Sequence, residues 1–169
     1  MNESHYEHMV ADIIERSIEI ECKAGELYAK LSMLFSHFPE ISTLWDKLAK
    51  DEILHMKTLQ DIYDSMTREQ LLSHIDKQMW KNIVKIQNLM NTNLAGSIKN
   101  LDDAYELAHQ IEFSEINEIF KSLVTINVLP EEQEQLVLSN VMRHQNDLSN
   151  FGRKYENRTL RKRISIQHT

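Results

Sequence analysis

The chain has few of the residues that interrupt regular structure. Its 169 residues include three glycines, two prolines and one cysteine, whereas average usage would supply about 12 glycines and about 8 prolines. Because strand-rich folds need many turns, and turns need glycine and proline, this scarcity favours long helices joined by few loops. The glycines form no phosphate-binding loop, which excludes a dinucleotide-binding enzyme and a P-loop enzyme.

Cysteines and long apolar runs are equally scarce. The one cysteine, Cys22, excludes a disulfide framework, a four-cysteine iron site and a zinc ribbon. The first residues show no secretory signal pattern, and no stretch approaches the roughly 18 apolar residues of a membrane span. We therefore expect a cytoplasmic protein without a membrane partner.

Charge is unevenly distributed along the chain. The net charge of −7 argues against nucleic acid as the main partner. Residues 153–163 nevertheless contain six Lys or Arg and one Glu, which we interpret as a helix end that complements its own dipole, followed by a solvated tail. The length suits one domain, so we expect a helical domain over 1–158 and a basic C-terminal tail over 159–169.

Helical periodicity predicts the architecture. Apolar residues recur at helical spacing in four long segments, 5–36, 40–66, 101–126 and 131–158. An additional helical stretch lies between the second and third segments, and Thr67-x-x-Gln70 at its start resembles a capping box. The short joins at Pro39 and Pro130 predict two antiparallel helix pairs. A long crossover between pairs is typical of ferritin-like bundles, so we predict an all-α, up-down four-helix bundle of that kind with an extra crossover helix.

Ionisable residues interrupt the apolar stripes of all four segments. Burying an uncompensated carboxylate costs several kcal/mol, so the core needs either divalent metal ions or a network of protonated acids and hydrogen bonds. Carboxylates with two histidines suit iron or manganese, and a Glu on each of two helices with Glu-x-x-His on the other two forms a dinuclear site in known bundles. The candidate metal ligands are Glu21, Glu52, His55, Glu112, Glu115, His144 and Asp147.

Over residues 5–158 the chain resembles the rubrerythrin-like and ferritin-like di-iron carboxylate proteins. The matching features are Glu21 with Tyr28 seven residues later in IECKAGELY, Glu52-x-x-His55 in LAKDEILHMKTL, and the pair Glu112-x-x-Glu115 in LDDAYELAHQIEFSEINEIF. The resemblance implies two iron ions, with manganese as the alternative, and redox chemistry with peroxide or oxygen. If the chain is an enzyme, it implies a non-haem di-iron oxidoreductase of the peroxidase or ferroxidase type. Rubrerythrins usually pass electrons through a cysteine-ligated domain, so with one cysteine an external electron donor is expected.

The fourth helix departs from the family pattern. A faint internal repeat at a shift of 92 residues places Glu52 on His144 and His55 on Asp147, so the second motif is reversed to His-x-x-Asp. In one interpretation the ligands are swapped, and four carboxylates with two imidazoles still balance two divalent ions. In the other the second half has degenerated, Asp147 lies at the flank, and the first-half residues hold one metal or none.

The degenerate interpretation supports an alternative function. A ferritin-like scaffold that has lost one or both metals would act as a structural or interaction protein. The apolar crossover residues Trp80, Ile83 and Ile86 would then bury a face between two copies of the chain. On either interpretation we expect a homo-oligomer, most simply a dimer.

Overall fold

The computed structural model describes residues 8–92, 94–113 and 131–166. These residues form helices joined by short turns, with isolated β-bridges but no strand in the part described. This architecture confirms the all-α, ferritin-like expectation. None of the described helices is both long and apolar enough to cross a membrane. The helices are α1 (Val10–Leu34), α2 (Pro39–Ser65), α3 (Arg68–Leu71), α4 (Lys77–Met90), α5 (Leu101–Glu112), α6 (Glu131–Lys154) and α7 (Arg158–Arg163), with a 3-10 turn at Leu94–Ser97.

Local capping explains where the bundle helices begin. Pro39 is the first residue of α2, where its missing N–H leaves no donor unsatisfied. The Asn100 side chain accepts a hydrogen bond from the backbone N–H of Asp103, at 3.1 Å, and caps α5. The predicted segment 101–126 starts where α5 starts, and its part beyond residue 113 lies outside the described residues up to 130.

The core lies along the inward faces of α1, α2, α5 and α6. Helices α1 and α2 form the most extensive pair, and side chains from both are fully buried. The stripe that the sequence predicts is therefore the packed face. The largest fully buried side chains are Trp45, Tyr28, Phe35, Ile13, Ile14, Ile20, Leu31, Ile41, Leu48, Leu59, Ile62 and Ile83.

The capping box forms, but it does not begin the crossover helix. Thr67 N donates to Gln70 Oε1 at 2.8 Å and Gln70 N donates to Thr67 Oγ1 at 3.3 Å, which starts the one-turn helix α3. The crossover helix α4 begins later, where Asp76 Oδ1 accepts from Gln78 N at 2.6 Å. Between α3 and α4 the backbone pairs instead with the residues around the start of α1, so its amides are satisfied outside a helix.

The apolar face of α4 packs within the chain. Ile83 and Ile86 are buried, and the ring of Trp80 lies between the stacked ring of His8, 3.5 Å away, and the guanidinium of Arg16, 4.6 Å away. These contacts correct the expectation that this face is available to a second copy. The dimer itself stays a prediction.

One of the six basic residues near the C-terminus is buried, and the other five are exposed. Arg161 on α7 is buried against α5, where its Nε donates to Asp102 Oδ1 at 2.8 Å. The backbone N–H of Leu101 donates to the carbonyl of Ile164 at 2.9 Å, so the chain continues to pair after α7 ends. Within 159–166 the side chains of Arg161 and Ile164 are buried, so this stretch packs on the bundle in part, and the division of the chain at residue 158 stays a prediction. The physical reason is a buried carboxylate on α5 that needs a cation.

Candidate metal centre

Four helices bring five ionisable side chains together inside the bundle, an arrangement we call the acid–histidine cluster. Glu21 comes from α1, Glu52 and His55 from α2, Glu112 from α5 and His144 from α6. Their exposed fractions are 7%, 3%, 5%, 4% and 1%, respectively. One ligand atom each from Glu52, His55 and His144 lies within 4.8 Å of the other two. Sequence reasoning placed all five on inward faces, and the fold brings them to one point.

Glu52 lies between the two imidazoles. Its Oε2 is 3.0 Å from His55 Nδ1, and its Oε1 is 3.4 Å from His144 Nδ1. Each imidazole also faces a second carboxylate, since His55 Nδ1 is 3.6 Å from Glu21 Oε2 and His144 Nδ1 is 3.5 Å from Glu112 Oε2. The cluster therefore has two similar sides that share Glu52.

The local sequence explains why Glu52 and His55 converge. Residues three positions apart share a helix face, so both side chains of α2 point toward α1. Gly25 on α1 faces the same region, and a Cβ added there would lie 3.4 Å from Glu52 Cβ. That distance is an ordinary van der Waals contact, so α1 and α2 approach each other closely beside Glu52.

Neighbouring groups hold members of the cluster in place. Asp51 Oδ2 lies 3.1 Å from His144 Nε2, and Asp51 Oδ1 accepts a hydrogen bond from Arg143 at 2.9 Å. Tyr28 donates a hydrogen bond to Glu112 Oε1 at 2.7 Å. Such outer contacts orient metal-binding side chains. Sequence reasoning missed Asp51, although its position directly before Glu52 was the available signal.

Burial and mutual repulsion keep protons on the cluster. Burial, followed by the charge of Glu52, raises the pKa of Glu21 to about 8. Burial alone would raise the pKa of Glu52 as well, but contacts with Glu21, His144 and His55 hold that pKa below its usual value. Glu21 therefore keeps its proton at neutral pH and Glu52 carries the charge.

Both imidazoles are stabilised as cations. Burial disfavours the charged form of His55, but Glu21 and Glu52 outweigh it and raise the pKa of His55 to about 9. For His144, Glu112 and Glu52 outweigh burial and raise the pKa to about 11. Without a metal, the negative charge of the carboxylates is thus offset by protons on Glu21, His55 and His144.

The donor set fits a divalent transition metal. Three carboxylates and two imidazoles are the mixture that iron and manganese accept. Neither ring nitrogen of His144 forms a hydrogen bond of good geometry, although carboxylate oxygens lie 3.1–3.5 Å from them. A metal ion that displaced a proton from His144 would bind to the freed ring nitrogen among the same oxygens.

One predicted ligand lies away from the cluster, and another is outside the described residues. The carboxylate of Asp147 contacts Lys47 on α2 and is a quarter exposed, so it is not part of the cluster. Glu115 lies outside the described residues. The ring of His144 faces the ring of His55, with centroids 4.7 Å apart, and these two histidines are 89 positions apart in the sequence, whereas the internal repeat has a shift of 92. The ligand roles of all seven residues stay predictions.

A cavity on the outer side of α1 and α2 reaches the cluster. It has a volume of about 240 Å³, and Glu21 and Glu52 contribute to its wall. The rest of the wall is mostly apolar or small, from Cys22, Gly25, Glu26, Ala29, Ile53 and Met56. Small uncharged molecules are therefore the solutes that this opening suits best.

Comparison with known proteins identifies a family match. A family model described as Rubrerythrin matches residues 12–136, which is most of the chain. No curated protein and no solved structure gives a significant match. The matched range includes four of the five members of the acid–histidine cluster, all except His144.

Proposed function

Because the chain belongs to the rubrerythrin family, we propose that it binds iron, or manganese, at the acid–histidine cluster and uses the metal in redox chemistry with peroxide or oxygen. One observation carries the proposal. Glu52, His55 and His144 converge within 4.8 Å in the core of a bundle that otherwise buries mostly apolar side chains. Five buried ionisable groups at one point are costly to maintain, and metal binding accounts for them.

The residues around the cluster would prepare it for a metal. The carboxylate of Asp51 lies beside Nε2 of His144, and Nδ1 of the same ring faces Glu52 and Glu112. The hydroxyl of Tyr28 fixes one oxygen of Glu112 and leaves the other toward His144. A bound iron or manganese ion would supply one-electron redox steps that the side chains themselves cannot perform.

The route of access supports a small oxidant. The cavity beside Glu21 and Glu52 is walled largely by apolar or small groups, which suits peroxide or oxygen better than a charged substrate. Glu21 keeps a proton near neutral pH, so an acid stands at the inner end of this cavity. With one cysteine in 169 residues, the sequence given has no cysteine-ligated iron centre, and we propose that electrons come from a separate donor.

Metal content tests the proposal directly. Purified protein from iron-supplemented growth is measured by elemental mass spectrometry, together with Glu52→Gln. We expect about one or more ions in the wild type and a loss of at least about 100-fold in affinity for the variant, because Glu52 contacts both imidazoles.

Asp46→Asn is the matched control for this experiment. Asp46 lies on the same helix but is exposed and pairs with Lys50, so its variant should keep wild-type metal content. Less than ~0.2 ion per chain, unchanged in Glu52→Gln, would contradict metal binding. Reoxidation of the reduced, loaded protein by peroxide or oxygen, followed by absorbance, tests the redox part separately.

A metal-free scaffold is the second candidate. It is favoured by the protonation of the cluster, since the raised pKa values of Glu21, His55 and His144 let the core balance its own charge. Such a protein would act by association. A wild type that stays metal-free after iron or manganese loading, and is as stable with added metal as without it, would support this function instead.

A further inference from the structure

A line of aromatic rings leads from the acid–histidine cluster toward the surface. We call it the aromatic relay, and its members are Tyr28, Trp45, Phe151 and Tyr155. The rings of Tyr28 and Trp45 are stacked with centroids 6.0 Å apart, and the centroids of Trp45 and Phe151 are 6.2 Å apart. Phe151 and Tyr155 are closer, at 4.6 Å. Such distances are ordinary for packed aromatic rings, so each ring lies against the next.

Both ends of the aromatic relay are tyrosines whose hydroxyl group meets a carboxylate. Tyr28 is fully buried and donates a hydrogen bond to Glu112 Oε1 at 2.7 Å, inside the cluster. Tyr155 is partly exposed and donates to Glu40 Oε2 at 3.4 Å. A tyrosine that loses an electron also releases its hydroxyl proton, so a carboxylate within reach lets both leave together.

Packing alone does not account for Trp45 in the middle of the relay. Its indole Nε1 is buried and has no hydrogen-bond partner among the residues that the structure describes. An unpaired buried donor destabilises the fold, and a purely apolar ring would fill this space without one. Tryptophan and tyrosine are the aromatic side chains that lose an electron most readily, so an indole at this position favours electron transfer between the two tyrosines.

We propose that the aromatic relay carries single electrons from the surface at Tyr155 to the acid–histidine cluster at Tyr28. Phe151 is not oxidised itself, and the electron tunnels through its packed ring between Tyr155 and Trp45. The inference rests on the proposed redox function and deepens it, because it gives the route by which a separate electron donor reaches the buried cluster.

The electrons and protons balance around peroxide as the oxidant. Reduction of one peroxide molecule to two water molecules takes two electrons and two protons, and Tyr28 supplies one electron when only one comes from the bound metal. The hydroxyl proton of Tyr28 moves to Glu112 Oε1, and a neutral tyrosyl radical remains. Trp45 then passes an electron to this radical, and Glu112 returns the proton. Trp45 keeps its own proton, since Nε1 has no acceptor among the described residues, and is left as a short-lived radical cation.

The exposed end completes the cycle. Tyr155 reduces Trp45 through the ring of Phe151 and gives its hydroxyl proton to Glu40 Oε2. A one-electron reductant in solution or on a partner protein then restores Tyr155, which takes its proton back from Glu40.

Tyr105 also lies beside Phe151, but it is less suited to be the exit. Its ring centroid is 6.4 Å from that of Phe151, compared with 4.6 Å for Tyr155. The guanidinium of Arg161 lies 4.8 Å from the centroid of the Tyr105 ring, and a cation over an aromatic face opposes the loss of an electron from that ring.

Photochemical oxidation tests the aromatic relay without any metal. Cys22, the one cysteine, is exposed and lines the cavity beside Glu21 and Glu52, so a ruthenium tris-bipyridine label on its thiol places a photo-oxidant near the cluster. A laser flash with hexaammineruthenium(III) as quencher oxidises the label, and transient absorbance and electron paramagnetic resonance detect tyrosyl radicals. We expect a radical in the wild type and a yield at least about 10-fold lower in Tyr28→Phe, because phenylalanine has no hydroxyl proton to release.

The rate at which ascorbate removes the radical tests the route to the surface. Ascorbate reaches Tyr155 more readily than the buried Tyr28. Trp45→Phe and Tyr155→Phe should therefore each slow the decay at least about 10-fold, because each removes an oxidisable N–H or O–H group. Tyr63→Phe is the matched control, since Tyr63 also donates to a carboxylate, Glu15 Oε1 at 3.1 Å, but is not part of the relay. Its radical yield and decay should equal those of the wild type.

The outcomes separate this inference from the proposed function. A labelled wild type without a tyrosyl radical, or Tyr28→Phe with the wild-type yield, would overturn the aromatic relay whether or not the protein binds metal. Unchanged decay in a folded Tyr155→Phe would overturn Tyr155 as the exit. A normal radical signal in a protein that takes up neither iron nor manganese would support the relay and contradict the proposed function.

The iron-loaded protein tests whether the relay serves the cluster. Samples frozen at short times after addition of peroxide should show the same tyrosyl radical by electron paramagnetic resonance, and Tyr28→Phe should lack it. Consumption of peroxide by iron-loaded protein with no radical at any time would overturn transfer to the cluster. Circular dichroism checks the fold of each variant, and if Trp45→Phe does not fold, Tyr155→Phe at its partly exposed position tests the same route.

Discussion

Among the residues that the structure describes, two groups of buried charges can be compared, and they are built differently. In the first, Asp102 on α5 accepts hydrogen bonds from Arg158 at 2.9 Å and from Arg161 at 2.8 Å. In the second, the acid–histidine cluster, the nitrogen-to-oxygen distances run from 3.0 to 3.6 Å and the nitrogens of His144 form no hydrogen bond of good geometry. The carboxylate of the first group is therefore paired through hydrogen bonds, whereas the imidazole of His144 in the second group is not.

The pKa values reflect the same difference. Burial opposes ionisation of Asp102, but Arg158 and Arg161 outweigh it and hold the pKa of Asp102 below its usual value. In the acid–histidine cluster the pKa of Glu21 rises to about 8 instead. A carboxylate that is hydrogen-bonded to arginines stabilises the fold as an ion pair, whereas carboxylates that retain protons can exchange those protons for a metal ion. Exchanging or titrating the charges of each group tests this distinction.

The largest effect is expected at the Asp102 group. Asp102→Asn leaves the buried guanidinium of Arg161 without its carboxylate, and breaking a buried pair in this way costs about 3–5 kcal/mol of unfolding free energy. Urea denaturation measures the loss, and metal content should stay at the wild-type value.

Glu106→Gln is the control for Asp102→Asn. Its carboxylate lies 3.9 Å from Arg161 but is half exposed, so its removal should change stability by less than about 0.5 kcal/mol. A loss of metal in Asp102→Asn without a loss of stability would erase the distinction between the two groups.

The second largest effect is expected in the pH dependence of stability, which should differ between the two groups. The folded pKa values of Glu21, His55 and His144 are raised to about 8, 9 and 11. Their protonation contributes to the free energy of unfolding in full below the unfolded pKa values. This contribution is lost as the pH rises through the folded pKa values. Between pH 7 and 9 the metal-free protein should therefore lose about 1.4 kcal/mol per pH unit for each proton released.

The Asp102 group should respond at the acid end. Its folded pKa is lowered from 3.8, so its contribution is present above that value and is lost as the pH falls through the folded pKa. Urea unfolding across the pH range measures both effects. Metal affinity should rise with pH, because the ion displaces the same protons. A metal-free stability that does not fall from pH 7 to 9 would contradict the protonation of the acid–histidine cluster.

The smallest expected effect has the opposite sign. Glu21→Gln removes a carboxylate that must take up a proton when the chain folds, so the metal-free protein should become more stable by about 1–3 kcal/mol at pH 7.5. The exposed Glu26 on the same helix provides the control, and Glu26→Gln should stay within about 0.5 kcal/mol of the wild type. Thermal unfolding decides the sign, and a destabilised Glu21→Gln would show that Glu21 is a structural partner like Asp102.

Much of the fold follows from local pattern. The scarcity of glycine and proline and the helical spacing of apolar residues predicted the all-α bundle, and Pro39 marks the start of α2 as expected. The start of the crossover helix was harder to predict. Thr67 and Gln70 form the predicted box. After it, however, the N–H of Ile75 donates to the carbonyl of His8, and the carbonyl of Ser73 accepts from Val10, contacts that the local sequence does not show.

The sequence predicted most residues of the candidate site, but it did not decide which residue of the fourth helix faces the others. Glu21, Glu52, His55, Glu112 and His144 were each recognised as polar residues on an apolar face, and each is buried. Asp147 was a ligand in one interpretation of the fourth helix and a flank residue in the other, and its carboxylate contacts Lys47. Helical spacing places His144 and Asp147 on neighbouring faces of α6. The rotation of α6 about its axis, relative to α2, decides which of the two side chains faces the cluster.

The sequence by itself determined which residues are helical and which helix faces carry charge, because both depend on spacings of three and four residues. The tertiary structure decided which charges meet. It joined Asp102 to Arg161 across 59 positions and brought His144 to face Glu52 across α2 and α6. These outcomes depend on how helices rotate and pack against one another, and that arrangement is set by the whole core rather than by any local pattern.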